Sequence, residues 1–505
     1  MCLLSVHSTL RKRVPCGLHY HLSLVILYCM EIVDHQNTKI VATVGPASSS
    51  YENLMQLAQA GVNVFRLNFS HGSHDDHLKV INRINYLNEK YGWHIGILCD
   101  LQGPKLRVGK MEGEGLPIAE GDILTFTNKE VVGTKESIYM SYKKFPKDVT
   151  VGERVLVDDG KIVLEVVDTN GRDQVRLKVL FGGVLKSNKG VNLPQTDISL
   201  PSLTKKDLKD LKFILQQNIH WIALSFVRRP KDIHDLRKHI EEAGHSAKII
   251  AKIEKPEAIE KLNGIIKASN AVMVARGDLG IEVPMERLPL IQKDIIKRCI
   301  QRARPVIVAT QMMDSMITNP SPTRAEITDV ANAVLDGADA VMLSGETSVG
   351  KHPVKVVEAM NKIIEEAEQH YALSYRPVPS DKSRTFLSDA ICFNACKTAE
   401  EVNAAALIGM TSSGYTAFKL SSYRPRNEIY IFSDQLNMLA TLNLVWGVRC
   451  LYYDKFASTD ETITDVQGIL HEHGYLQSGD IVVNTGSMPL HRRHRTNMLK
   501  VSVIE

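Results

Sequence analysis

The chain has 505 residues, of which 44% are hydrophobic and 23% charged, so it is too long for one hydrophobic core and we expect two or three globular domains. Its formal net charge of +4 comes from 61 basic and 57 acidic residues without a long block of one sign, which argues against a nucleic-acid partner. The eight cysteines lack the paired spacings of a zinc site, and buried, reduced thiols are favoured for Cys392 and Cys396 in their helical pattern.

Residues 1–35 form an N-terminal extension of uncertain status, in which basic Arg11–Arg13 precede an apolar run from Leu22 to Tyr28. This order is typical of a signal peptide, but the run is too short to span a bilayer and no small-residue cleavage site follows it. A start at Met30 explains the segment as well. We therefore expect a cytoplasmic protein with no membrane partner, and we leave these residues out of the fold.

From residue 38 onward, apolar runs rich in Val, Ile and Ala alternate with helical patterns, which is typical of a parallel sheet covered by helices. Eight runs are predicted to be strands: Thr38–Val44, Val62–Asn68, His94–Asp100, Trp221–Phe226, Lys248–Ile253, Ala271–Ala275, Pro305–Thr310 and Ala340–Ser344. This α/β pattern predicts a (β/α)8 TIM barrel formed by residues 36–103 and 201–370.

The segment between the third and fourth predicted strands is far longer than a crossover needs. It contains hairpin signals, with turns at Asp159-Gly160 and Asn170-Gly171 between runs of alternating apolar residues. We therefore predict an inserted β-barrel-like lid domain after strand three, over residues 104–200.

One barrel helix can be predicted in detail. Ser321 is expected to cap it, Pro322 to lie in its first turn and Gly337 to end it. Its apolar stripe is predicted to pack on the barrel core and contains Ile327, Val330, Ala331, Val334 and Leu335.

Beyond residue 370 a linker, Tyr375 to Pro379, precedes a third domain. Helical patterns separate most of its five predicted strands, which are Ala404–Gly409, Glu428–Phe432, Val448–Tyr453, Asp480–Asn484 and Met498–Val503. We predict a C-terminal α/β domain over residues 371–505.

Polar side chains follow seven of the eight barrel strands, at the ends where such barrels place their active sites. Glu254 and Asp278 are hard oxygen ligands on neighbouring strands and predict a Mg²⁺ or Mn²⁺ site. Lys252 shares a face with Glu254, because alternate strand residues point the same way. An ammonium and a metal there could neutralise a phosphoryl group, although a structural ion pair is an equally open interpretation. Arg66 can bind phosphate through its planar guanidinium.

Several motifs resemble those of the pyruvate kinase family. They are Thr38–Ser48 (TKIVATVGPAS), Arg66–Gly72 (RLNFSHG), Ile253-Glu254, Ala275–Gly280 (ARGDLG), Ala309–Met312 (ATQM) and Leu343–Thr347 (LSGET). The resemblance runs from about residue 36 to the C-terminus. It implies a phosphotransferase that gives pyruvate and ATP from phosphoenolpyruvate and ADP, and a homotetramer.

The resemblance also implies roles for individual residues. Lys252 would stabilise the transferring phosphoryl group, Glu254 and Asp278 would hold Mg²⁺, Arg66 would bind phosphate, and Thr310 with the amides of Gly277 and Asp278 would bind the carboxylate. Asn68, Arg107 and Lys189 match nucleotide-contacting positions. Ser344 and Glu346 match positions near the path of proton delivery, and a helix-capping role for Ser344 stays open.

Many members of the family also bind K⁺ through positions that match Asn68, Ser70, Asp100 and the carbonyl of Leu101. Relatives that require K⁺ resemble D-T-K-G-P-E in this loop, whereas this chain has Lys105 in place of the glutamate. A fixed ammonium could supply the positive charge of the ion. We therefore predict that K⁺ is not required; the alternative is that Lys105 faces solvent and the K⁺ site persists.

In the C-terminal domain, Thr411, Ser412, Ser413, Gly414 and Thr416 resemble the family's effector-phosphate loop. Hydroxyl and amide groups at a helix start suit an anion. Arg492, in a basic loop, could reach a second phosphate, but the loop lacks the tryptophan of the fructose 1,6-bisphosphate pattern. A sugar-phosphate effector and a merely solvated basic loop both stay open.

Two alternatives remain at this level. A metal-dependent aldolase acting on a pyruvate enolate would use the same ligand types on a similar barrel, but it would not need the inserted lid. A catalytically silent regulatory homologue would not need Arg66, Lys252, Glu254, Asp278 and Thr310 together.

Overall fold

The computed structural model describes residues 36–370, 377–381, 383–455, 458–488 and 495–505. The N-terminal extension, Tyr375 and Arg376 of the predicted linker, and the predicted effector residue Arg492 lie outside this part of the chain. In the part described, no helix is both long enough and apolar enough to cross a bilayer.

The chain begins with the first three strands of a barrel. The elements are β1 (Lys39–Thr43), α1 (Tyr51–Gln59), β2 (Val62–Asn68), α2 (His74–Tyr91) and β3 (Gly96–Asp100). Every residue of β1 and β3 is buried, as expected for parallel strands with both faces covered. Ser73 caps α2 in a reciprocal capping box with Asp76.

A separate sheet domain follows β3. It contains β4 (Leu116–Ile118), β5 (Ile123–Thr127), β6 (Ile138–Tyr139), α3 (Phe145–Asp148), β7 (Arg154–Val157), β8 (Ile162–Thr169), β9 (Gln174–Phe181), β10 (Gly183–Leu185) and β11 (Val191–Asn192). Six strands pair in the order β11-β7-β8-β9-β5-β6, and β10 pairs with β4. The turn at Asp159-Gly160 joins β7 to β8, and the turn at Asn170-Gly171 joins β8 to β9, as predicted. We call this domain the lid.

The chain then returns to complete the barrel. The elements are α4 (Lys205–Ile214), β12 (Trp221–Leu224), α5 (Pro230–Glu242), β13 (Lys248–Ile253), α6 (Pro256–Glu260), α7 (Leu262–Ala268), β14 (Ala271–Ala275), α8 (Arg276–Glu282), α9 (Leu288–Gln301), β15 (Val306–Ala309), α10 (Arg324–Leu335), β16 (Ala340–Leu343), α11 (Gly345–Ser348) and α12 (Pro353–Gln369). The eight parallel strands close in the order β1-β16-β15-β14-β13-β12-β3-β2.

The structure corrects the predicted start of α10. Thr323, not Ser321, caps the helix: its side chain accepts from the amide of Glu326, whose carboxylate accepts from the amide of Thr323 (2.7 Å). Only part of the predicted apolar stripe lies in the hydrophobic core, because Val330 and Val334 are buried whereas Ile327 and Leu335 are 40% and 44% exposed.

The C-terminal domain is an α/β sandwich. Its elements are α13 (Phe386–Glu401), β17 (Ala406–Met410), α14 (Tyr415–Ser422), β18 (Glu428–Ser433), α15 (Leu436–Leu442), β19 (Val448–Tyr452), α16 (Thr459–Glu472), β20 (Ile481–Gly486) and β21 (Met498–Val503). The sheet order is β19-β18-β17-β20-β21, with only the β20–β21 pair antiparallel. Cys392 and Cys396 are buried in its hydrophobic core. The predicted fold class, a TIM barrel with an inserted sheet domain and a C-terminal α/β domain, is confirmed.

The C-terminal domain covers the amino-terminal end of the barrel. Leu444, fully buried, belongs to the same apolar cluster as the side chains that fill the barrel interior. Beside it, the indole nitrogen of Trp221 donates to the carbonyl of Thr441 (3.1 Å), and Arg424 pairs with Asp339 (3.0 Å) just before β16. The opposite, carboxyl-terminal end of the barrel faces the lid.

Candidate active site

Four charged side chains meet where β2, β3 and β13 end. The ammonium of Lys252 lies 2.9 Å from Glu254 Oε1 and 3.3 Å from Asp100 Oδ1, and it donates to Ser225 Oγ (2.7 Å). Arg66 Nε donates to Asp100 Oδ2 (2.8 Å). The strand register therefore brings the predicted Arg66, Asp100, Lys252 and Glu254 into one cluster.

The cluster is almost fully buried, and its charges depend on one another. Burial alone would lower the pKa of Lys252, but the carboxylates of Asp100 and Glu254 raise it above its usual range. Burial alone would raise the pKa of Asp100, but Lys252 and Arg66 hold it below its usual value. Lys252 is thus a fixed cation and Asp100 a fixed anion at neutral pH.

Glu254 and Asp278 fit a divalent cation. Burial raises the pKa of Glu254, and the charge of Asp278 raises it further against the opposing effect of Lys252. Glu254 Oε2 accepts from the amide of Phe226 (2.6 Å), while half-buried Asp278 lies in the first turn of α8. No group of three or more His, Cys, Asp or Glu side chains able to hold a metal occurs in the described part of the chain. Two carboxylates leave coordination positions for substrate oxygens and water, as Mg²⁺ prefers.

Thr310 and Gly277 meet at the ends of β14 and β15. The amide of Gly277 donates to Thr310 Oγ1 (2.7 Å), and Arg276 Nη2 donates to the carbonyl of Thr310 (2.8 Å) while its Nη1 donates to Asp329 (2.7 Å). Thr310 has φ of 71°, a left-handed conformation that is unfavourable for a β-branched residue. Thr310 is therefore held in place through both its hydroxyl and its carbonyl.

Ser344 and Glu346 follow β16. Glu346 is buried, and its carboxylate accepts from the amides of Ser344 (2.7 Å) and Met313 (3.2 Å). Burial raises the pKa of Glu346. The Ser344 hydroxyl makes no capping hydrogen bond to α11, so the helix-capping interpretation of that side chain is not supported.

The predicted nucleotide positions lie on both sides of the cleft. On the lid, Lys189 pairs with Asp158 (2.7 Å) and Arg107 donates to the carbonyl of Asn188 (2.9 Å). On the barrel, Asn68 Oδ1 accepts from the amide of Ser70 (3.1 Å). The structure does not bring the lid pair into contact with the Lys252 cluster through any described hydrogen bond.

The predicted K⁺ positions are largely occupied by protein donors. Both oxygens of Asp100 face cations, Lys252 and Arg66, and the carbonyl of Leu101 accepts from Ser225 Oγ (2.8 Å). Lys105 is exposed at the edge of the cleft between lid and barrel.

A cleft of about 500 Å³, open to solvent, separates lid and barrel. Its lining includes Lys105, Asn192, Phe226, Lys255, Asp278 and Glu282. Sequence reasoning assigned no role to Asn192, Lys255 or Glu282, because their contacts join segments up to 90 residues apart. Ser225, which contacts Lys252, lies next to the end of the predicted strand Trp221–Phe226. The strand-end pattern therefore indicated this residue, although no role was assigned to it.

The predicted effector loop is compact. Gly414 has φ of 81°, and its amide donates to Thr411 Oγ1 (2.9 Å). Thr416 is buried, with its hydroxyl 2.7 Å from that of Thr496, so its side chain points into the domain. Ser413 is exposed, and Thr411 and Ser412 are both partly buried.

Two family models match the chain: pyruvate kinase, barrel domain, over residues 35–357, and pyruvate kinase, alpha/beta domain, over residues 389–502. Pyruvate kinase 2 of Synechocystis sp. is 44% identical, and the match covers 93% of this chain and 80% of that protein. The pyruvate kinase of Corynebacterium efficiens is 43% identical, with 93% and 98% covered. A crystal structure of a pyruvate kinase from Cryptosporidium parvum is similar with a TM-score of 0.87 at 33% identity, covering 95% of this chain and 99% of the other.

Proposed function

The chain belongs to the pyruvate kinase family, and from this premise we propose that it transfers the phosphoryl group of phosphoenolpyruvate to ADP. The bond from phosphorus to the enol oxygen breaks, a bond to the terminal oxygen of ADP forms, and the enolpyruvate released is protonated to pyruvate. The observation that carries the proposal is the buried cluster of Arg66, Lys252 and Glu254 at the barrel end that faces the lid.

We propose that Lys252 stabilises the negative charge of the phosphoryl group in transit. Its ammonium is kept charged by Asp100 and Glu254, and a desolvated cation interacts more strongly with phosphate than a solvated one. Arg66, held by Asp100 and Thr43, would bind the phosphate through its remaining guanidinium N–H groups. Glu254 and Asp278 would hold Mg²⁺, or Mn²⁺ in its place, which when bound supplies further positive charge to the phosphate oxygens.

The carboxylate of phosphoenolpyruvate would be bound by Thr310 and the amides of Gly277 and Asp278. These amides belong to the first turn of α8, where N–H groups lack partners within the helix, and the carboxylate would replace the Thr310 hydroxyl as the acceptor for the amide of Gly277. Ser344 and Glu346 would lie on the path by which the enol carbon is protonated. Burial raises the pKa of Glu346, which brings a carboxyl closer to the range where it can carry a proton.

The lid would close over ADP with Arg107 and Lys189, while Asn68 contacts the nucleotide from the barrel. Closure excludes water from the transfer. Neither alternative needs this combination, since an aldolase would not require a lid and a silent homologue would not require the charged cluster.

The proposal is tested by following pyruvate with and without ADP and Mg²⁺. We expect pyruvate only when both are present, and Lys252→Met to lower kcat by roughly 10²- to 10³-fold. Lys267→Met, at an exposed lysine of α7, serves as the matched control and should retain activity. Pyruvate formed without ADP from a 4-hydroxy-2-oxo acid, which an aldolase would cleave, would favour the aldolase, and no pyruvate from either that acid or phosphoenolpyruvate would favour a silent homologue.

We further propose that activity does not require K⁺. The cations around Asp100 and the hydroxyl on Leu101 support this, whereas the exposed position of Lys105 agrees with the alternative that this side chain faces solvent. Replacing K⁺ by a large organic cation should leave turnover within about twofold, because the fixed cations are part of the protein. A collapse of the rate in that exchange would contradict the proposal.

Regulation and assembly are proposed from the family alone. Thr411, Ser412, Ser413, Gly414 and Thr416 would bind the phosphate of a sugar-phosphate effector, with Arg492 on a second phosphate. Inward-facing Thr416 would contribute to loop shape more than to direct contact. A cytoplasmic homotetramer is the expected form.

A further inference from the structure

Asn192 joins the lid to the barrel. It lies in β11, which pairs with β7, so its position is fixed by the lid's sheet. Its side-chain amide crosses the cleft and donates to Glu282 Oε1 at 2.8 Å. Glu282 is the last residue of α8. This hydrogen bond therefore ties a rigid part of the lid to a rigid part of the barrel.

A third residue holds Glu282 in position. Lys255, which follows β13, donates its ammonium to the same oxygen of Glu282 at 2.7 Å. The two side chains are 6% and 0% exposed. Because a buried carboxylate without a cation is costly, the contact with Lys255 stabilises Glu282 and fixes the oxygen that Asn192 contacts. We call Asn192, Lys255 and Glu282 the lid latch.

The latch contacts α8, the helix whose first turn carries Asp278 of the candidate active site. The seven-residue helix α8 begins with Arg276, Gly277 and Asp278 and ends at Glu282. The lid turn at Gly160 approaches the same helix, since a Cβ at Gly160 would lie 3.8 Å from the side chain of Ile281. Both lid contacts thus fall on the last turn of the helix whose first turn carries Asp278.

We propose that Glu282 is a positioning residue for the lid. Its contact with Asn192 sets the fraction of molecules in the closed form, and this fraction determines the apparent affinity for ADP. The inference rests on the proposed function, in which ADP binds between lid and barrel. Nucleotide binding to the closed form is weakened by the fraction of molecules that are open. Phosphoenolpyruvate, which would be bound by barrel residues alone, depends less on the latch.

The sharpest test changes the charge of the latch. Asn192→Asp places a second carboxylate against Glu282, so the lid should open and KM for ADP should rise by about tenfold, with KM for phosphoenolpyruvate within about twofold. Adding Glu282→Gln to that variant leaves a single carboxylate beside Lys255, as in the wild type. We expect KM for ADP in the double variant to return to within about threefold of the wild type.

Two further variants keep the test decisive. Gln174→Glu makes the matched amide-to-carboxylate change at an exposed lid position outside the latch, and it should leave KM for ADP unchanged. Asn192→Ala removes the hydrogen bond without adding charge and should raise KM for ADP several-fold; it replaces Asn192→Asp if that variant does not fold.

Two results would contradict the proposed role of the latch. One is an unchanged KM for ADP in the Asn192 variants, and the other is a KM for ADP in the double variant that is as high as in Asn192→Asp. In either case a wild type that still makes pyruvate from phosphoenolpyruvate and ADP leaves the proposed function intact. If the wild type makes no pyruvate, the proposed function fails instead.

Discussion

His220 shows how burial of a single residue makes stability depend on pH. It precedes β12, is 2% exposed, and its Nδ1 accepts from the amide of Ile97 (2.9 Å). Burial, with a small contribution from His245, lowers the pKa of His220 to about 3. The ring is therefore neutral in the folded protein at pH values well above 3, and it joins β3 to β12 as an acceptor.

We predict that His220 makes the protein less stable as pH falls below about 6.5, the value for an unfolded histidine. Between that pH and about 3 the unfolded chain binds a proton that the folded chain does not, so the free energy of unfolding falls by up to about 1.4 kcal/mol per pH unit. Urea titrations at pH 7 and pH 5 measure this slope.

His220→Asn retains an acceptor but cannot be protonated, so it should be less sensitive to this pH change. His239→Asn, at a 43% exposed side chain, is the control and should behave like the wild type. An equal pH slope in His220→Asn and wild type would contradict the prediction.

At this scale the sequence predicted which polar residues end barrel strands, because alternation and strand ends are local properties. It did not predict that Arg66 and Lys252 share Asp100, since that contact depends on the register between β2, β3 and β13. The left-handed backbone of Thr310 was also not predictable: nothing in the residue type indicates it, and the contacts of Arg276 that maintain it are between strands.

Among the elements, α10 shows how a helix start is chosen between competing caps. Ser321, Pro322 and Thr323 all precede the helix, and Ser-Pro is a common start. The capping box decides the outcome, because Glu326 lies three residues after Thr323 and also accepts from Ser315 (2.7 Å). The T-x-x-E spacing was present in the sequence and could have located the cap.

We predict that Thr323→Ala lowers the free energy of unfolding by about 1 kcal/mol, the usual cost of losing a helix cap. Ser321→Ala, the residue that the Ser-Pro pattern favoured, should change it by less than about 0.5 kcal/mol. The thermal midpoints of both variants measure the difference, and equal midpoints would show that the capping box contributes nothing.

At the scale of the whole molecule, the barrel is closed at its amino-terminal end by another domain. Leu444 enters the barrel interior cluster from the connection between α15 and β19. The order of strands and the type of each domain followed from sequence patterns. The end of the barrel that the C-terminal domain covers did not, because Leu444 looks like any apolar residue after a helix and only the contact between domains gives it a role.

We predict that Leu444→Ala destabilises the protein by about 2 to 5 kcal/mol, since it leaves a cavity where two domains meet. Leu436→Ala, in α15 at a 60% exposed position, is the matched control and should have little effect. Thermal unfolding followed by the fluorescence of Trp221 and Trp446, which both lie at this contact, measures the loss. Equal midpoints for the two variants would show that Leu444 is not part of the barrel core.

The strands that flank the lid are neighbours in the barrel, because β3 pairs directly with β12. The chain leaves the barrel after β3 and returns at α4, where the amide of Gly103 donates to Asp207 Oδ1 (3.1 Å), so the two ends of the insertion lie close together. The lid also has a hydrophobic core of its own. A short turn joining the end of β3 to the start of α4 should preserve the barrel, including the crossover helix that parallel strands need, so the contributions of barrel and lid to catalysis can be separated by a single deletion.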